Sequence, residues 1–354
     1  MTSPSGTENK DYIPTLDGLR ALAIAMVIAS HAFPYSEQPI WANGNLGVLI
    51  FFALSGYLIT THLVRQFDAT GRISLHDFYL RRSFRILPSV FVYLTTLLVL
   101  ATFGLVPFGW NSYRAAVFFY ASYVDHSWTI GHFWSLAVEE HFYLLWPLLL
   151  VVFGVRTGWR TAIAFVFVVA SLRFAVDHYH LFGSLFRDPD HGNFHTDLVF
   201  DTLLWGCILA FVLRRPRTRP VNAIFSTIIA VAAATVMIAP PGWKLNQTLL
   251  IAHLLPAVFV GAIAVAPHAP IGRFLELGAV RFVGRLSYSL YIWQELFLQN
   301  PGPRLKLIYA FPAIIVCTLL SYRFVERPAI KFGRRFMENR MRTMPIVDSV
   351  PTQK

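Results

Sequence analysis

An all-α, polytopic membrane fold with about ten transmembrane helices and both termini in the cytoplasm is predicted here, on three observations. Of 354 residues, 55% are hydrophobic and only 14% charged, with a mean hydropathy of +0.53. A soluble domain carries about 25% charged residues. Apolar runs of spanning length recur from one end of the sequence to the other, leaving no stretch for a second soluble domain. Basic residues also concentrate in alternate loops, as a fixed membrane orientation requires.

The first span covers 15–35. It follows a polar, partly acidic stretch without a small-residue cleavage site, so residues 1–14 read as a cytoplasmic tail and not as a cleavable signal. Spans at 47–64 and 89–106 come next, with Pro88 expected to mark a break before or at the start of the third. A short apolar segment at 114–124 cannot cross and is expected to lie half-buried or at the interface. Spans at 132–153, 161–176, 196–213, 221–239, 247–267, 286–300 and 306–325 complete the count. Residues 15–330 thus form one membrane domain, and 331–354 a basic cytoplasmic tail.

With a cytoplasmic N-terminus, the inner segments hold 22 of the 30 Lys and Arg residues. Outer loops hold five, Arg114, Arg187, Lys244, Arg304 and Lys306, while Arg20, Arg173 and Arg323 fall within spans. The net charge of +11 is therefore mostly a matter of topology and calls for no nucleic-acid partner. No Gly-rich phosphate loop, sustained heptad or inverted repeat is present, and the last absence counts against a transporter. Cys207 and Cys317 fall in apolar spans, which excludes a disulfide framework.

Polar residues inside these spans locate the chemistry. Arg20 and His31 flank ten residues of which only Ser30 is not apolar. Eleven steps of about 100° come to roughly 20° past three turns, so both side chains share one stripe about 16 Å apart. An ionisable group in a membrane span is costly and by default marks a site. The plainer alternative is a snorkelling Arg and a His bonded to a neighbouring helix.

Ahead of the third span, Arg81, Arg82 and Arg85 fall within about one helical turn, a fork-like receptor for phosphates. A basic juxtamembrane cluster can equally serve topology or lipid headgroups. Entering the fourth span, Ser135, Glu139 and Tyr143 share a face at i, i+4, i+8, with Glu140 about 100° away. Glu139 could orient or protonate an imidazole on another helix, whereas Glu140 suits the helix dipole. Ala53, Ser55 and Gly56 in the second span suit close helix packing. In the loop 177–195, Asp177, His178, His180, Asp188, Asp190, His191 and His195 match no metal-ligand spacing and read as a solvated loop.

Taken in order, these segments resemble the acyltransferase-3 family of integral-membrane O-acyltransferases, whose members modify O-antigens, peptidoglycan, exopolysaccharides, Nod factors and macrolides. The resemblance runs through Tyr12 to Arg20 with His31, then Phe51 to Ile59, then Arg81 to Pro88 and Phe133 to Tyr143. It ends with Gly284 to Trp293 and Glu326-Arg327-Pro328, so it covers nearly the whole chain. One departure is Gln294, where the family commonly has His. Some relatives also carry a C-terminal hydrolase-like domain outside the membrane. This sequence ends soon after Pro328, so transfer is expected to be completed by the membrane domain or a separate protein.

The resemblance implies an enzyme of the EC 2.3.1 type in the bacterial inner membrane. It implies acyl-CoA, usually acetyl-CoA, as co-substrate, no bound cofactor or metal, and a carbohydrate, glycolipid or macrolide acceptor. His31 is expected to act as general base with Glu139 orienting it, although an acyl-His intermediate stays open. Arg20, Arg81, Arg82 and Arg85 are expected to hold the donor, supported by Asp17, Ser135, Glu140 and Tyr143. The competing expectation is a transporter using His31, Glu139 and Arg20 as a proton or anion path.

Overall fold

The computed structural model describes residues 13–33, 39, 41–124, 127–179, 195–214, 222–238, 250–298 and 305–343. Among these residues every regular element is helical. Helix α1 (Pro14–Ala32) starts with proline in its first turn, where a missing N–H costs nothing. Helix α2 (Gly44–Thr70) is capped by the Asn43 side chain, which accepts from the Leu46 N–H, and ends at Gly71 with φ 71°. Helix α3 (Leu75–Thr102) is capped by Ser74 on the Asp77 N–H. Then come α4 (Trp110–Val117), α5 (Phe133–Phe153), α6 (Gly158–Tyr179), α7 (Thr196–Val199) and α8 (Asp201–Leu213). They are followed by α9 (Ala223–Met237), α10 (Leu250–Val265), α11 (Pro270–Leu275), α12 (Gly278–Phe297) and α13 (Leu305–Leu320). A π-helical stretch, Ser321–Glu326, joins α13 to α14 (Arg327–Thr343).

Among the described residues, six helical stretches are long and apolar enough to cross a bilayer, which makes this a multi-pass membrane protein. They are Pro14–Ala32, Gly44–Thr70, Leu75–Thr102, Trp128–Phe153, Gly158–Val176 and Leu307–Arg340. The other predicted spans fall on α8, α9 and α10, which are apolar but shorter, and on α12, which carries Arg281, Arg285 and Glu295. Segment 114–124 folds as α4 plus a short turn, with Ala115, Ala116 and Ala121 buried and Phe118 and Tyr123 exposed. Of the loop 177–195, His180, Asp188, Asp190 and His191 lie outside the described residues.

Pro88 does not break the chain as expected. Helix α3 runs through it, so Arg81, Arg82 and Arg85 sit on the same rigid rod as the third span. Ahead of the proline the Tyr288 hydroxyl on α12 donates to the Ile86 carbonyl at 2.8 Å, tying α3 to α12. Residues 331–343 continue α14, which packs on α3.

Glycines set the closest approaches in the bundle. A Cβ at Gly56 of α2 would strike the Leu203 carbonyl of α8, and one at Gly284 of α12 would strike the Asp17 carbonyl of α1. Helix α1 packs against both α2 and α12. Away from that clamp, Arg173 of α6 forks onto Asp201 of α8 at 2.9 and 3.1 Å and bonds the Leu198 carbonyl. His253 of α10 lies 3.0 Å from the same carboxylate and 2.8 Å from Thr202 Oγ1.

Candidate active site

Two polar clusters lie along α1, one beside Arg20 and one beside His31. The first is a cleft with about 740 Å³ of empty space, walled by α1, α2, α3, α5 and α12. Arg20, Arg82 and Arg85 line it together with Glu139, Glu140 and Tyr143. Arg20 Nη1 reaches Asp17 Oδ1 at 3.3 Å, one turn back on its own helix. Arg82 lies with its guanidinium carbon 4.6 Å from the Tyr143 ring centre, a cation–π contact. Arg81 turns away from the cleft, to 3.2 Å from the His62 imidazole.

Glu139 is held by hydroxyls. Its two oxygens accept from Ser55 at 3.0 Å and from Tyr143, one turn on, at 2.6 Å. Ser55 therefore faces the site while its neighbours Ala53 and Gly56 pack. Glu140 lines the same cleft although it lies about 100° round the helix. With Arg20 paired to Asp17, Arg82 and Arg85 are the guanidiniums placed to meet an anionic ligand here.

At its far end the cleft narrows to Ser135 and Tyr291, whose hydroxyls are hydrogen-bonded to each other. One hydroxyl donates to the other, which in turn donates to the His132 carbonyl, 3.1 Å from Ser135 Oγ and 3.2 Å from Tyr291 Oη. His132 opens the second cluster. Buried Glu295 accepts from the His132 N–H and from its Nδ1–H, each at 2.8 Å. The other oxygen of Glu295 lies 3.9 Å from His31 Nε2. His31 Nδ1 donates to Gln294 Oε1 at 2.7 Å, and its ring stands edge-on to Trp128 at 5.3 Å. With the Nδ1 proton fixed by the amide oxygen, Nε2 carries the lone pair.

The structure does not bring Glu139 to His31: Glu139 bonds Ser55 and Tyr143, and the carboxylate beside His31 is Glu295 of α12. Arg20, Arg82, Arg85, Glu139, Glu140, Ser135 and Tyr143 come together in the cleft, with Asp17 bonded to Arg20. Sequence reasoning missed Glu295 and Tyr291, noted Gln294 only as a departure from the family pattern, and favoured packing over chemistry for Ser55. Glu295 alone had a readable signal, an acidic residue inside a predicted span. Among the described residues no group of three or more His, Cys, Asp or Glu gathers as a metal site.

A family profile described as an acyltransferase domain matches residues 13–324. A protein provisionally named an O-acetyltransferase in Staphylococcus aureus strain COL is 31% identical over 94% of this chain and 60% of its own length. O-acetyltransferase OatA of Staphylococcus aureus strain NCTC 8325 is 31% identical over 91% of this chain and 58% of its own length. The chain thus spans about three fifths of the length of these curated relatives. No solved structure matches it significantly.

Proposed function

The chain belongs to the acyltransferase family, and from that premise we propose that it moves an acyl group, acetyl by preference, from cytoplasmic acyl-CoA to a hydroxyl of a carbohydrate or glycoconjugate. The observation that carries this reading is the arginine-lined cleft beside α1, whose Ser135 and Tyr291 hydroxyls bond the His132 carbonyl, while the His132 side chain bonds Glu295, 3.9 Å from His31. Arg20, Arg82 and Arg85 would meet the donor's diphosphate, and the pantetheine arm would extend along α1 toward His31. The relatives' printed names, O-acetyltransferases, support acetyl as the group transferred. The ten-span topology with both ends cytoplasmic, in a bacterial inner membrane, belongs to this proposal and puts the acceptor on the far side.

In the reaction, His31 Nε2 takes the proton of the acceptor hydroxyl as its oxygen attacks the thioester carbonyl. The Glu295 carboxylate, 3.9 Å from that nitrogen, offsets the charge of the imidazolium. When the tetrahedral intermediate collapses, the C–S bond breaks and the same proton passes to the departing CoA thiolate. General-base assistance of this kind is worth about 10²–10⁴-fold. Glu139 holds Ser55 and Tyr143 in the donor cleft and does not act on His31.

The test is thiol release from acetyl-CoA by detergent-purified protein with a panel of glycan acceptors, wild type beside His31→Ala. Acceptor-stimulated release that falls by about 10²-fold or more in the variant, at unchanged expression, is expected. Retention of more than about a tenth of the activity would remove His31 from the base role.

A further inference from the structure

A second cavity adjoins the cleft on the side of α14. It is a groove with about 830 Å³ of empty space, and it shares Arg82 and Arg85 with the cleft, so those two guanidiniums stand where the spaces meet. Its own walls add Arg81 and His62 on one side and Arg334 of α14 on the other. Ile59, Phe78 and Met337 supply apolar surface. No acidic side chain lines the groove. Neither Arg85 nor Arg334 hydrogen-bonds or ion-pairs with a described residue, and a cluster of like charges is costly without a counter-ion.

The outer wall is held in place at two points. Gly333 of α14 lies against the Phe84 ring so closely that a Cβ would strike it, and Phe84 contacts the rings of Phe332 and Phe336. Farther along, Arg340 reaches the His76 imidazole at 2.7 Å. These contacts fix Arg334 across the groove from Arg81 without engaging either guanidinium. Multiple phosphates beside a flat apolar group fit such a lining, since guanidiniums fork onto phosphate and also stack on planar bases.

We propose that this groove is the nucleotide subsite of the donor, taking the 3′-phosphorylated adenosine end of CoA. The base lies over Ile330 and Met337, Arg334 and Arg81 hold the 3′-phosphate, and the diphosphate lies between Arg82 and Arg85. This rests on the acyl-CoA reading above and extends it to α14, which the sequence presents only as a basic tail.

The experiment is equilibrium binding of CoA, 3′-dephospho-CoA and 4′-phosphopantetheine to the full-length protein in neutral detergent. Wild type is compared with Arg334→Ala, and with Arg335→Ala as a control one residue away outside the groove. Loss of the 3′-phosphate is expected to weaken wild-type binding by about tenfold or more. Arg334→Ala should weaken CoA by a similar factor, abolish the preference for CoA over dephospho-CoA and leave phosphopantetheine unaffected, while Arg335→Ala matches wild type. A full preference retained in Arg334→Ala, or equal binding of CoA and dephospho-CoA by wild type, overturns the subsite and leaves the donor intact. Failure of the folded wild type to bind CoA at all overturns the donor reading and the subsite together.

Discussion

Buried charge occurs in two regions of this bundle, and the two are built in opposite ways. Between α6, α8 and α10, the Arg173 fork closes on Asp201 and the Leu198 carbonyl, and His253 bonds the same carboxylate. Only Arg173 Nε there lacks a partner. Around the cleft, Arg20, Arg82 and Arg85 face about 740 Å³ of empty space, and a buried oxygen of Glu140 has no partner. Ionic groups that satisfy one another hold helices together; ionic groups left facing a cavity await a ligand. Membrane burial alone does not distinguish the two, because both are costly in hydrocarbon.

The largest effect that would break this comparison is on stability. Asp201→Ala leaves Arg173 buried without its counter-ion, a loss of about 3–5 kcal/mol. A clearly lowered thermal midpoint in detergent is expected, with an unchanged donor KM for the protein that stays folded. A midpoint equal to wild type would mean that the triad does not hold α6, α8 and α10 together.

Glu140→Gln should behave in the opposite sense. It removes a charge that has no partner, so the thermal midpoint should hold while donor KM falls by roughly fivefold, the worth of about 1 kcal/mol of repulsion toward phosphate. A raised donor KM would show instead that Glu140 organises the arginines.

Part of this division was legible in the sequence. The Arg20–His31 stripe follows from helical spacing, and Glu139 and Tyr143 meet because they lie one turn apart on α5. The small residues of α2 were legible too, although Ser55 turned to the site when Gly56 packed on α8. His31's own partners were not legible. Gln294 is 263 positions away in the chain, and nothing in local periodicity says that α1 lies against α12. Glu140 was misjudged for a related reason, since a cleft that wraps a helix collects residues from more than one face. Pro88 misled because a helix packed in a membrane bundle can run through a proline.

The account turns on which carboxylate serves His31. The most direct measurement is steady-state donor kinetics of Glu295→Gln beside Glu139→Gln, each with the best acceptor from the panel. Glu295→Gln is predicted to lower kcat by about 10²-fold or more with donor KM unchanged, because the imidazolium loses its counter-charge. Glu139→Gln is predicted to raise donor KM and keep kcat within about tenfold. The reverse pattern, with kcat lost in Glu139→Gln and kept in Glu295→Gln, would contradict the division of labour described here.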